Sequence, residues 1–205
     1  MFITFEGIEG SGKSTQIKLL QNSLKEEGHV VEVLREPGTT KLGEKIRDIF
    51  LEKTNEKVDP ITEAFLLYAS RKHLDQNFLR EHLNKKSIVI ADRYSDATIA
   101  YQCFGKGLSR DFVDYIHQES NLLTPDLTFY MDISAEGSKS RIDDRELDRM
   151  ESESLDFFNK VRLGYLDIAK LNSERVIVLD ATLPMEEIQK KILIEVKNRL
   201  NASMD

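Results

Sequence analysis

A single cysteine, Cys103, stands in 205 residues, and tryptophan is absent. One thiol excludes an intrachain disulfide framework and a zinc site built from cysteines, and it fits a reducing cytoplasm. Proline and glycine are sparse, at 4 and 10 residues, which excludes a collagen-like rod or a low-complexity linker. No apolar run reaches the 18 residues a membrane span needs. Positive charge is in the minority, with 29 Lys+Arg against 36 Asp+Glu and a formal net charge of −7. A broad basic surface for nucleic acid is therefore not expected, although a few cations can still focus on a small anion. The start, Met1-Phe2-Ile3-Thr4-Phe5-Glu6-Gly7, lacks a basic n-region. No signal peptide is read there, and the expected location is the cytoplasm.

What is present is an ordinary apolar fraction of 40%, enough at this length to bury a sizeable core. Short β-rich runs (Phe2 to Phe5, Val30 to Leu34, Ser87 to Ala91, Leu127 to Ile133, Arg175 to Leu179) alternate with longer stretches of helical spacing. Those stretches include Ser14 to Glu27, Pro60 to Leu83, Leu155 to Leu171 and Pro184 to Leu200. Buried strands alternating with helices predict a doubly wound α/β fold with a five-stranded parallel sheet covered on both faces. Gly28 suits the position just past a helix, and Pro60 and Pro184 suit helix first turns. No repeat or composition break divides the chain, so one domain over 1–205 is expected. Glu136 to Glu153 is unusually charged, with Arg141, Asp143, Asp144, Arg145, Asp148 and Arg149 among few apolar anchors. A solvated helix face is the plain reading. A charged lid near 137–150 is the functional one.

Gly7-Ile8-Glu9-Gly10-Ser11-Gly12-Lys13-Ser14 fits G-x-x-x-x-G-K-[ST] between an expected strand and an expected helix. Gly7, Gly10 and Gly12 let backbone N–H groups, with those of Ser11 and Thr15, wrap a phosphate at a helix N-terminus. Lys13 can reach the β- and γ-phosphates, and the Ser14 hydroxyl can ligate Mg²⁺. A chance match in a chain of this length is on the order of 1% at average composition. No guanine-reading Asn-Lys-x-Asp occurs; Thr54-Asn55-Glu56-Lys57 does not fit. The small size suggests a kinase for a small acceptor. Asp92, at the end of the run Ser87 to Ala91, stands where a second metal-supporting carboxylate belongs, and Arg93 follows it into the crevice beyond the strand ends. Asp92 alone could equally be a strand-end turn residue.

Glu6-Gly7 through Thr15, Arg35-Glu36-Pro37-Gly38, Asp92-Arg93-Tyr94, Ala100-Tyr101-Gln102, Thr124-Pro125-Asp126-Leu127 and Glu146-Leu147-Asp148-Arg149 follow one another as in thymidylate kinases. The chain resembles that family over nearly its whole length. Glu9 and Arg145/Arg149 are similar to the bacterial form with an acidic P-loop and arginines in the lid. The resemblance implies strand order 2-3-1-4-5, phosphoryl transfer from ATP to dTMP with Mg²⁺, and a homodimer. It also implies the roles of individual residues. Lys13, Ser14 and Asp92 would serve ATP and the metal. Arg93 and Arg47 would bind the acceptor phosphate, Arg47 being otherwise an exposed helical arginine. Arg71 would read the base, with Thr98 and Gln102 as further contacts and Leu67 against the ring. Tyr101 would crowd the sugar 2′ position, and Glu9 and Glu36 would face the sugar or acceptor. Arg145 and Arg149 would reach the transferring phosphoryl group, and Arg141 would stack on adenine or lie free on the surface. Asp180-Ala181-Thr182 would line the adenine pocket. Leu67 replaces the family's usual Phe and Ala97 its frequent Ser. A kinase for another nucleoside monophosphate, or a regulatory ATP-binding protein without transferase activity, remains open as an alternative.

Overall fold

A computed structural model of the protein describes residues 1–142 and 146–202. Among the described residues the strands are β1 (Phe2–Glu6), β2 (Val31–Arg35), β3 (Ile88–Asp92), β4 (Leu127–Asp132) and β5 (Val176–Asp180). They form one sheet in the order β2-β3-β1-β4-β5, with every pair parallel. The expected order therefore holds. Side chains alternate across the sheet. Ile3, Phe5, Ile88 and Ile90 enter one apolar cluster, while Phe2, Val89 and Ala91 enter a second with Leu34, Leu74, Leu79 and Tyr94. Two clusters from alternating residues mean that both faces are covered, which is why these strands read as near-continuous apolar runs.

The helices are α1 (Lys13–Glu26), α2 (Lys41–Leu51), α3 (Pro60–Leu74), α4 (Arg80–Asn84), α5 (Ser95–Thr98), α6 (Arg110–Glu119), α7 (Ala135–Lys139), α8 (Leu155–Leu171) and α9 (Met185–Ala202). Asp59 caps α3 through Ile61 N, with Pro60 in its first turn as expected. Gly28, at φ +88°, follows α1 in the left-handed conformation that suits glycine there. Pro184 differs from expectation: it lies one residue before α9 rather than inside its first turn. The expected helix from Pro60 to Leu83 is interrupted by a π segment at Asp75–Leu79. A second π segment, Ile99–Gly105, continues α5. Such wide turns re-aim side chains and recur at functional sites; this one carries Tyr101 and Gln102. Because all strands are parallel, the loops after β1, β2 and β3 open at the same edge of the sheet, where ligands of such sheets bind.

Candidate active site

The loop after β1 is held by close backbone contacts. Gly7 has φ +140°, and a Cβ there would lie 2.8 Å from the Met131 carbonyl oxygen. Gly10, at φ +73°, is pressed equally close to the Ser138 carbonyl of α7. Only glycine fits either place without moving backbone. Helix α1 starts at Lys13, and its N-cap Gly12 supplies no side-chain bond. The first N–H groups of a 14-residue helix are thus directed at whatever anion enters the loop. Lys13 is buried and donates to the carbonyls of Gly7 and Ile8, both at 3.1 Å. Burial, and then Arg93, push its ammonium below the ordinary lysine value. Ser14 and Thr15 are exposed at the helix start.

Asp92 ends β3, and its Oδ1 is buried with no hydrogen-bond partner. Ser14 and Asp92 line the same shallow cleft beside β2. One hydroxyl and one carboxylate facing a phosphate loop are the donors Mg²⁺ takes when waters and phosphates complete its shell. The residues fit that ion.

Beyond the strand ends lies an open cleft of about 680 Å³. Arg93 lines it. Its backbone turns at φ +69°, uncommon for a non-glycine residue, and carries the side chain back over the P-loop. Nη1 donates to Gly7 O at 2.6 Å, Nη2 meets Glu9 Oε2 at 3.4 Å, and the guanidinium lies 5.2 Å from the Tyr101 ring centre. Burial opposes this charge, yet Tyr101, Tyr165, Glu9 and Asp92 raise Arg93 well above the usual value. It is a cation fixed beside the phosphate loop.

The opposite wall is built from α3 and the segment after β2. Glu63, Leu67 and Arg71 recur every four residues and share one face of α3. Arg71 is 1% exposed. Its Nε donates to Glu36 Oε2 at 2.6 Å, and Nη2 donates to Tyr94 O at 3.1 Å and Thr98 Oγ1 at 3.2 Å. The rings of Tyr68 and Tyr94 hold the guanidinium at 4.8 and 5.4 Å. Burial lifts the Glu36 carboxyl to about 7 against the pull of Arg71. Burial disfavours the Arg71 charge, but Glu36 more than restores it. Two atoms of this pair, Arg71 Nη1 and Glu36 Oε1, are buried without a partner. Gln102, also 1% exposed, donates its Nε2 to Glu63 Oε2 at 3.1 Å, and its Oε1 has no partner. Both Arg71 and Gln102 line the cleft. An orphaned donor and an orphaned acceptor thus stand in one pocket, next to a cation at the phosphate loop.

Residues 5–192 match the family model described as thymidylate kinase. The chain belongs to the thymidylate kinase family. It is 43% identical to a thymidylate kinase of Prosthecochloris aestuarii, covering 97% of this chain and 94% of that protein. It is 40% identical to one of Thermoanaerobacter pseudethanolicus, covering 97% of this chain and 98% of that protein. The crystal structure of thymidylate kinase from Ehrlichia chaffeensis superposes with a TM-score of 0.78 at 32% identity, covering 96% of this chain and 98% of that one.

Glu9, Glu36, Arg47, Leu67, Arg71, Arg93, Tyr101 and Gln102 line the one cleft, with Ala97 beside them. Arg47 is half-buried and donates to Pro37 O at 3.1 Å rather than lying free on α2. Thr98 does not line the cleft; it is fully buried behind Arg71 and reaches the site through it. Arg141 is exposed and donates to Ala181 O at 2.9 Å, which joins it to Asp180-Ala181-Thr182. Arg149 is tied to the end of α2 and to α3. Its Nη1 meets Glu63 Oε1 at 2.5 Å, its Nε and Nη2 donate to Phe50 O, and its guanidinium lies over the Phe50 ring. Arg145 lies outside the described residues. The expected lid is fastened at both ends: Ser138 Oγ donates to Glu9 O, and Met150 is buried in the main core.

Sequence reasoning missed four kinds of contributor. Phe50, Leu51, Met150 and Phe158 supply apolar walls of the cleft but look like ordinary core residues in sequence. Asp148 and Glu151 add carboxylates at its rim. Glu63 is fully buried and gathers Gln102, Lys106 and Arg149. Glu6, buried under the P-loop, accepts from Tyr94 N at 2.7 Å and Tyr165 OH at 2.8 Å. Burial, then Asp96, lift its carboxyl to about 8. The only sequence signal for Glu6 was its place one residue before the motif.

Proposed function

We propose that these residues transfer the γ-phosphoryl group of ATP to the 5′-phosphate of dTMP, giving ADP and dTDP. ATP-dependent phosphorylation of dTMP is the activity that family membership carries. No general base is needed, because a phosphate monoester with a second pKa near 6 is largely dianionic at neutral pH and is its own nucleophile. The difficulty is bringing two polyanions together in line, so positioning and fixed positive charge carry the rate.

The P-loop N–H groups and the α1 terminus take the ATP phosphates. Lys13 exchanges its two loop carbonyls for phosphate oxygens. Ser14 and Asp92 would hold Mg²⁺, which would neutralise part of the charge on the ATP phosphates. Arg93 and Arg47 hold the acceptor phosphate, and Glu9 keeps Arg93 aligned at the loop. Glu36 orients Arg71, whose free Nη1 donates to thymine O4. Gln102 Oε1 accepts from thymine N3–H. Cytosine presents the opposite pattern at both positions. Leu67 covers one face of the ring, and Tyr101 crowds the sugar 2′ position. Thr98 supports Arg71. Arg149 and Arg145 meet the transferring phosphoryl group when the lid over 137–150 closes, and Arg149 first releases Glu63 and the Phe50 carbonyl. An arginine delivered to that charge is worth about 10³–10⁵ in rate in P-loop enzymes. Arg141 lies by the adenine.

The observation that carries the reading is the orphaned pair Arg71 Nη1 and Gln102 Oε1, a donor beside an acceptor in the cleft that Arg93 joins to the P-loop. A mere ATP-binding protein needs no such second cleft. The proposal extends to a single domain over 1–205 acting in the cytoplasm as a homodimer. Exposed Ile61 and Phe65 on α3, with Tyr115 on α6, are apolar surface in keeping with a second copy. The test is an acceptor panel of dTMP, dUMP, dCMP, AMP and GMP with ATP and Mg²⁺. dTMP should give the highest kcat/KM. Preference for dCMP, AMP or GMP would overturn the assignment of substrate.

A further inference from the structure

Gln102 carries a chemical ambiguity that matters. A primary amide presents either two donors or an acceptor, and the two ends differ only by rotation about one bond. A glutamine that flips freely would offer the base both patterns and discriminate poorly. In this protein the question is settled from behind the cleft wall. Glu63 does not line the cleft. It is 0% exposed, on α3, and its carboxylate faces donors alone: Lys106 Nζ at 2.8 Å and Arg149 Nη1 at 2.5 Å on Oε1, Gln102 Nε2 at 3.1 Å on Oε2. An ionised carboxylate accepts only. The amide nitrogen of Gln102 must therefore turn toward Glu63, and the carbonyl oxygen is what remains. That oxygen is buried and has no partner in the protein.

We infer that Glu63 is a positioning residue for base selection: it locks the Gln102 amide with its acceptor toward the cleft, so that Arg71 and Gln102 together present donor then acceptor, the complement of a thymine or uracil edge and the opposite of a cytosine edge. This deepens the reading of the cleft as a dTMP site and rests on it. Lys106, which stays on Oε1 when Arg149 leaves for the phosphoryl group, serves the same end: it anchors the carboxylate, so that Oε2 stays aligned on Gln102. The chain's choice of glutamate is what makes the lock one-sided. A glutamine at 63 would turn its own oxygen toward Lys106 and Arg149, the stronger partners. Its NH₂ would then face Gln102, which would flip and place a donor against thymine N3–H.

The experiment measures kcat/KM for dTMP, dUMP and dCMP in the wild-type chain, Glu63→Gln and Glu63→Asp. The wild-type panel comes first: if the wild-type chain does not phosphorylate dTMP, the dTMP-site reading fails, independently of Glu63. With that activity present, Glu63→Gln should lower the dTMP-over-dCMP ratio about ten-fold or more, the scale of one buried hydrogen bond replaced by two opposed donors. dUMP should fall in parallel with dTMP, because the two share that edge. Any effect on Arg149, on the lid or on the amount folded enters both substrates alike and cancels in the ratio. Glu63→Asp keeps two acceptor oxygens and should hold the ratio within about three-fold of wild type even where its shorter reach lowers the melting temperature. An unchanged ratio in Glu63→Gln overturns the proposal and leaves Glu63 a structural residue. If Glu63→Gln does not fold, Glu63→Ala decides: with no acceptor left to hold the amide, a lowered dTMP-over-dCMP ratio there supports the proposal, and an unchanged one overturns it.

Discussion

Replacing Arg71 by alanine separates the two tasks this arginine performs. Structurally it neutralises Glu36, with only 1% of either side chain exposed and 2.6 Å between Nε and Oε2. Removing one member of such a pair costs about 3–5 kcal/mol, because the other charge stays buried without compensation. Glu36 has an escape: its carboxyl is already lifted to about 7, so without Arg71 it can take up a proton. The loss at neutral pH should therefore fall at the low end, about 3 kcal/mol, and should be larger at pH 8 than at pH 6. The double variant Glu36→Gln/Arg71→Ala should lose less than the sum of the single variants, since no buried charge is left. In the proposed function, Arg71 Nη1 supplies one charge-assisted bond to the base. Hydrogen bonds to charged groups are worth about 1.5–3 kcal/mol, so dTMP-over-dCMP preference should fall roughly 10- to 150-fold. Urea denaturation at pH 6 and 8 checks the first task, and kcat/KM for the two nucleotides checks the second. A stability loss under about 1 kcal/mol, or strictly additive single and double variants, would refute the argument for a buried compensated pair.

Lys13→Ala should abolish turnover while dTMP binding, followed by calorimetry, stays within several-fold; near-normal kcat would refute the P-loop role. Leu67→Phe should lower the dTMP KM several-fold with kcat and ATP KM unmoved, because aromatic contact adds about 0.5–1.5 kcal/mol and acts equally on ground and transition states. An unaltered dTMP KM would mean that Leu67 does not touch the ring. Glu6→Gln should flatten the pH dependence of stability. The folded carboxyl holds its proton to about pH 8 against a usual 4.5, so its contribution is complete below about 4.5 and is lost as pH rises through 8. Melting temperature between pH 5 and 8.5 should therefore decline more steeply in the wild type than in Glu6→Gln, and parallel curves would contradict this.

The sheet was legible because its strands are covered on both faces, so Phe2 to Phe5 and Ser87 to Ala91 stand out as short apolar runs wherever they lie in the sequence. The P-loop was legible because its glycines answer a backbone demand, seen at Gly7 and Gly10. The strand order and the acceptor residues came through resemblance, not through pattern. Glu63 was invisible for a physical reason: a glutamate near a helix start reads as solvated, and only the packing of α3 against the π segment and the lid end buries it. Thr98 was expected at the base but stands one layer back, because a short side chain behind Arg71 cannot be told from one in front of it by spacing. Phe50 and Phe158 read as core, since an apolar residue that lines a cleft and one that fills a core obey the same periodicity. Arg149 was expected near the phosphates, and its tie to Phe50 and Glu63 shows a resting partner that no spacing reveals.

The central claim is phosphoryl transfer between two nucleotides held at the strand ends, and following the label from γ-³²P ATP tests it most directly. Incubated with the protein, Mg²⁺ and dTMP, the label should appear in dTDP, one equivalent for each ADP formed, and ATP should be nearly inert when dTMP is left out. Label released as inorganic phosphate at the same rate with and without dTMP, and none in dTDP, would contradict the account.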